Sequence, residues 1–86
     1  MKGKLTIKYH HLSPKFLLKL MEIGARVELP TGFVFQGDVA NKYIDVGMDL
    51  GTGRMVKDGC WNMTVEGAKN AIADAKKYEL EQLNNS

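Results

Sequence analysis

The chain has little of what would make its chemistry obvious. It carries one cysteine, Cys60, among 86 residues, so no internal disulfide can form. Small secreted domains usually lean on such bridges, and the chain is expected to work in a reducing cytoplasm. Two prolines and nine glycines are spread too thinly for a flexible linker. One domain spanning residues 1–86 is expected, with residues 84–86 fraying. No stretch approaches the roughly 20 apolar residues of a membrane span, and Met1 to Leu5 lead into an alternating strand rather than an apolar leader. His10 and His11 are adjacent, so in a strand they face opposite ways. With Cys60 they offer no paired metal-ligand spacing. Cys60 also has no neighbouring base or helix N-terminus to lower its thiol pKa, and beside Trp61 it reads as a small core residue. Asp45 and Asp49, four apart in a strand, stand about 13 Å from each other, too far for a glycosidase pair. No catalytic residue, metal or cofactor is expected, and the chain reads as a non-enzyme.

What is present is a pattern of alternating runs and two helices. Residues 4–10 alternate strictly, with Leu5, Ile7 and Tyr9 on one face and Lys4, Thr6, Lys8 and His10 on the other. Ser13 is a good helix cap, Pro14 fits the first helical position, and Gly24 is a natural stop. Within that helix Lys15, Lys19 and Glu22 form a narrow polar stripe. Phe16, Leu17, Leu18, Leu20, Met21 and Ile23 cover the rest. A helix so apolar is either deeply buried or covered by a partner.

Further strands are predicted at 25–29 and 33–36, joined through Pro30, Thr31 and Gly32, and at 43–50. In the last, Ile44, Val46, Met48 and Leu50 oppose Tyr43, Asp45, Gly47 and Asp49. A turn at residues 51–53, a segment 54–57, a turn at Asp58 and Gly59 and a short strand at 60–63 lead to the final helix. That helix is predicted over residues 64–83. Thr64 caps it, Glu66 suits its positive end, and Val65, Ala68, Ile72, Ala75 and Leu83 share one stripe. Gly67 stands where the acid of a capping box would be. The helix should leave the sheet near Tyr78, with Glu79 and Glu81 free to meet a partner. The fold class is α+β: a two-layer β-α-β-β-β-(β)-α domain, its mostly antiparallel sheet covered on one face by two helices.

Two short stretches resemble known families. Val46 to Gly53, reading VGMDLGTG, resembles the first phosphate loop of the actin, heat-shock ATPase and sugar-kinase superfamily. That resemblance implies Asp49 and the glycine-threonine hairpin on a nucleotide's phosphates and metal. The fold requires two large lobes, which 86 residues cannot supply, so a plain strand and glycine turn is the reading taken. Residues 66–73, reading EGAKNAIA, are similar to the last helix of double-stranded-RNA-binding domains, whose α-β-β-β-α order the chain loosely shares. That implies lysines at the helix start reaching phosphates. Here the first lysine is Lys69, and Glu66 would meet a phosphate first.

Charge is unevenly placed. Residues 1–26 carry six basic side chains against one acid, and the remainder carry six against nine. A nucleic-acid module would use the basic part, with Lys4, Lys8, His10, Lys15 and Lys19 on phosphates, but no aromatic shares that strand face for base stacking. The more economical expectation places strand 4–10 beside strand 43–50, with Lys4 and Lys8 paired to Asp45 and Asp49. The function expected first is non-catalytic binding of a protein partner through Leu18, Ile23, Trp61, Lys15 and Lys19. The surplus apolar surface of the first helix and the hot-spot character of tryptophan support it. Compact chains of this kind include inhibitors of larger machinery, among them virus-encoded ones, and homodimers. Nucleic-acid binding is the alternative.

Overall fold

The structure, a computed structural model, describes residues 4–6, 12–49 and 51–84, and of residues 4–6 only the backbone. The elements run β1 (Lys4–Thr6), α1 (Pro14–Glu22), β2 (Arg26–Glu28), β3 (Phe33–Asp38), β4 (Tyr43–Met48), β5 (Val56–Asn62) and α2 (Val65–Asn84). The strands form one sheet in chain order. β2 to β5 are antiparallel, and β1 joins β2 in parallel across the α1 crossover. Parallel neighbours need such a crossover, whereas β3 and β4 need only a turn. The expected α+β architecture is what is found, with both helices on one face of the sheet.

Local chemistry explains the boundaries. Ser13 takes an extended conformation and its Oγ accepts from the Phe16 amide at 3.1 Å, capping α1 as its sequence suggests. Gly24 ends the helix at φ +75, a conformation costly for any residue with a Cβ. Thr64 caps α2, its Oγ1 accepting from the Gly67 amide at 3.0 Å. Gly67 has a further reason to be glycine. A Cβ there would collide with the carbonyl oxygen of Asn62, so the helix start rests directly on the end of β5. The capping-box acid is absent because no side chain fits.

The core lies between the helices and one sheet face. Leu17 and Met21 of α1 and Ala68, Ala71, Ile72 and Ala75 of α2 meet Val27, Phe33, Phe35, Ile44 and Val46. The spacing of Leu17 and Met21 is one helical turn, which puts both on the same side. The alanines let α2 sit close to the sheet. The predicted α2 stripe is corrected at both ends: Val65 and Leu83 are exposed, while Gly67 and Ala71 are buried. The helix packs as far as Tyr78, whose ring lies 6.0 Å from that of Phe33. Glu79 is half-buried, with Oε1 enclosed and without a hydrogen-bond partner, so it is not the free acid expected. Leu80 and Glu81 are exposed.

Three further expectations change. Asp58 and Gly59 do not turn the chain; residues 56–62 form one strand. Gly47 pairs with Lys57 and Val46 with Gly59, leaving Asp58 as the extra residue of a β-bulge. The bulge shifts the alternation beyond it, and Cys60, opposite Asp45, is exposed rather than a core residue. Finally, β1 lies beside β2, with β2 and β3 between it and β4, so Lys4 is not a cross-strand neighbour of Asp45 or Asp49; Lys8 lies outside the described residues. Residues 7–10, expected as strand, Leu50, and residues 85–86, expected to fray, fall outside the described part of the chain, while Asn84, expected to fray with them, is the last residue of α2.

Candidate functional site

The outer side of α1 is built by an excess of apolar residues over what the sheet can cover. Leu17 and Met21 point inward and are buried, and Leu18 and Leu20 pack partly against the core. Phe16 and Ile23 remain 44% and 76% exposed. Phe16, Leu20 and Ile23 are spaced i, i+4, i+7 and so share one side of the helix. Val39, in the turn between β3 and β4, is also exposed, and its Cγ2 comes within 3.5 Å of where a Gly24 Cβ would sit. The turn therefore extends the apolar surface past the helix end. Lys15 and Lys19, one turn apart and both exposed, give the same helix a cationic flank.

The predicted partner residues thus divide into two places. Ile23, Lys15 and Lys19 are presented outward on α1, with Leu18 half-buried beside them. Trp61 is elsewhere. It belongs to β5, at the far edge of the sheet, whereas α1 lies over β2 and β3. Its ring is half-buried against the core, and its Nε1–H donates to Asp74 Oδ2 of α2 at 2.7 Å. Phe16 and Val39, which sequence reasoning left unassigned, join the α1 surface. Phe16 was legible from its spacing to Ile23; Val39 was not, because only the fold of the turn brings it there. Of the basic set, Lys15 and Lys19 are described. Lys8, His10 and the side chain of Lys4 lie outside the described residues.

The phosphate-loop lookalike resolves into a self-contained turn. Asp49 Oδ1 accepts from the amides of Gly51, Thr52 and Gly53 at 2.9, 3.1 and 3.1 Å. Its Oδ2 accepts from Arg26 Nη2 at 2.6 Å. The N–H groups that would cradle a phosphate are already turned onto the protein's own carboxylate. Burial disfavours the charged form of Asp49, yet the three amides and the Arg26 guanidinium outweigh it and hold the carboxyl below its usual range. The Asp49 and Arg26 side chains are only 2% and 17% exposed.

This ion pair also closes the sheet face opposite the helices. Arg26 aligns with Gln36, Glu28 with Val34, and Asp49 hydrogen-bonds Gly32. The line from Arg26 to Asp49 therefore crosses β3 at Val34. Val34 is fully buried on this face, which carries no helix. On the same face Lys57 Nζ lies 3.3 Å from Asp45 Oδ1. Both acids predicted to pair with the basic N-terminal strand are paired, but with Arg26 and Lys57. The charge asymmetry is in part internal complementarity, since Arg26 is one of the six basic residues of the N-terminal segment.

The RNA-binding lookalike also departs from its pattern. Four strands, not three, separate α1 from α2, and Glu66 stands exposed in the first turn of α2. Among the described residues no group of histidine, cysteine, aspartate or glutamate is arranged to hold a metal ion, and no helix is long and apolar enough to cross a membrane. Set against known proteins, the chain matches no family model, no curated protein and no solved structure.

Proposed function

We propose that this chain is a small non-catalytic binding protein that works by protein–protein contact, with the outer side of α1 as the docking surface. The observation that carries the reading is Ile23, an isoleucine 76% exposed at the end of a helix whose Leu17 and Met21 already anchor it in the core. Phe16 and Val39 enlarge the patch, and clustered exposed apolar residues of this kind mark interaction surfaces. Lys15 and Lys19 set the partner's chemistry: an apolar centre with an acidic rim, which steers association and excludes basic surfaces. An inhibitor that covers a functional surface of a larger cytoplasmic assembly fits this description. A second copy of the chain fits the apolar centre but would set lysines against lysines unless they splay apart.

The test uses wild-type protein beside Phe16→Lys and Ile23→Lys. Capture of a host-cell protein by the wild type, lost in both folded variants, supports the reading. Self-association measured by light scattering and lost in both variants identifies the homodimer instead. Capture unchanged by either substitution, with a monomer throughout, sinks it. Binding of an oligonucleotide that weakens steeply with salt and survives both substitutions would place the activity on phosphate contact by Lys15, Lys19 and the basic strand.

A further inference from the structure

Between β5 and the second half of α2 lies a cleft of about 360 Å³, within the size range of small-ligand sites. Two local features open it. Gly59 stands opposite Val46 and contributes no side chain; a Cβ there would find nothing nearer than Val46 Cγ2 at 3.9 Å. The room beside it is therefore left by the sequence. One turn beyond Ala75, α2 presents Tyr78 in place of another alanine, and its ring reaches toward Phe33.

The lining has a definite character. Phe33, Trp61 and Tyr78 supply three aromatic rings. Asp58, Asp74 and Glu81 supply three carboxylates, against a single ammonium from Lys77. The acids come from separate places: the β-bulge gives Asp58, and α2 gives Asp74 and, two turns further on, Glu81. Asp74 is tied through Oδ2 to the Trp61 indole N–H at 2.7 Å, which fixes ring and acid together.

Such a cleft selects by charge. Aromatic faces carry partial negative charge and attract cations, and the carboxylates add to that field. A neutral apolar ligand would strip water from the acids without replacing it, and an anion would be repelled. We propose that the cleft binds an alkylammonium group, its head near Asp58 and Glu81 and its carbon body against Phe33. Either a free small amine or the end of another protein's lysine side chain provides that chemistry. The site is independent of the α1 surface and opposite to it in charge preference.

Trp61 is the sole tryptophan, so its fluorescence and its indole N–H resonance report on this cleft alone. The experiment titrates choline and its neutral isostere 3,3-dimethylbutan-1-ol, at ionic strength held constant with sodium chloride. Choline is expected to shift the indole N–H resonance saturably and to bind roughly three- to thirtyfold tighter than the alcohol, the advantage of a cation over an aromatic-lined site. The double variant Asp58→Asn with Glu81→Gln, both at exposed positions, should erase most of that advantage. Lys77→Met should tighten choline binding. Nα-acetyl-lysine methylamide, run in parallel, separates the sources: tighter binding than choline marks a lysine-side-chain site, weaker binding a free-amine site. Equal response to the cation and the alcohol, or no saturable indole shift from either cation at tens of millimolar, overturns the proposal.

Discussion

The two helices cover the same sheet face by opposite means. α2 is long and meets the sheet with small residues, and Gly67, Ala68, Ala71 and Ala75 are all buried. Its close approach covers Ala68, Ala71, Ile72 and Ala75, while Val65 at its start and Leu80 and Leu83 near its end stay exposed. α1 has only nine residues and buries two of them fully, Leu17 and Met21. It carries more large apolar side chains than its contact area can hide, and Phe16 and Ile23 remain outside. Helix length is therefore a poor guide to which helix has a surface to spare. Side-chain size along the inward stripe is the better one over the length in contact: the small residues of α2 bring it close and are covered, its exposed Leu80 and Leu83 lying beyond Tyr78, whereas the large residues of short α1 spill past the contact.

The sharpest way to break this contrast is to empty the α1 contact. Leu17→Ala should cost about 2–5 kcal/mol, the usual range for a fully buried leucine, and in a domain this small each kcal/mol moves the melting midpoint by roughly 4–8 °C. Thermal melts followed by circular dichroism check it. A loss below about 1 kcal/mol would mean that α1 is not anchored through this residue. The corresponding test for α2 is Gly67→Ala. Elsewhere in a helix that change helps by about 0.5–1 kcal/mol; here the new methyl meets the Asn62 carbonyl, so destabilisation of about 1–3 kcal/mol is expected from overpacking. A more stable variant would show that α2 does not rest on the end of β5.

How far this was legible in the sequence differs between the parts. The caps at Ser13 and Thr64, the β-strand periods and the two-layer architecture follow from local rules that the structure obeys. The bulge does not. Asp58 followed by Gly59 reads as a turn in isolation, and only pairing with β4 keeps the strand extended through it. Cys60 was read as core because it neighbours Trp61, but successive strand residues face opposite ways, so it is exposed opposite Asp45 while Trp61 packs on the core. Strand adjacency was equally hidden: nothing in the sequence of β1 says that its neighbour is β2, so the partners of Asp45 and Asp49 could be named by charge but not by position. The α1 surface was legible from spacing, except for Val39. The cleft was not, because it depends on a missing side chain at Gly59 and on acids from two distant elements.

A further comparison sets the helix-covered face against the open face, where charge rather than apolar packing ties the strands. Asp49 titrates below its ordinary range in the folded protein, so its contribution is present in full above the ordinary carboxyl pKa of about 3.9. It is lost as pH falls through the lower, folded value, since the unfolded chain takes up the proton first. Asp38 is lowered as well, by its side-chain and backbone hydrogen bonds with Asn41. Lys57 moves the other way, raised by its hydrogen bond and charge pairing with Asp45; its contribution is present below about pH 10.4 and fades as pH rises beyond. The expected outcome is a melting midpoint that drops on acidification from pH 5 to pH 2. Asp49→Asn should start lower and lose less across that window, with Asp38→Asn as the control for the exposed turn. Parallel acid profiles for wild type and Asp49→Asn would show that the Arg26–Asp49 tie contributes nothing to folding.

The smallest expected effect on stability is the one that bears most on function. Ile23 follows the last helical residue of α1, is 76% exposed, and adjoins Gly24, whose left-handed turn ends the helix. Replacing it with lysine removes no core contact and adds a cation near the helix C-terminus, where positive charge is mildly favourable. Its effect on folding should fall within about 0.5 kcal/mol of zero. If Ile23 is exposed only because α1 has run out of sheet, nothing else changes. If α1 keeps it for a partner, the same substitution sets a charge in the apolar centre of an interface, and binding falls by 2 kcal/mol or more, about thirtyfold, as at interface hot spots. A melting midpoint that holds while binding collapses separates surplus from purpose. A midpoint that falls sharply would mean that Ile23 belongs to the fold, and that the asymmetry between the two helices is one of length alone.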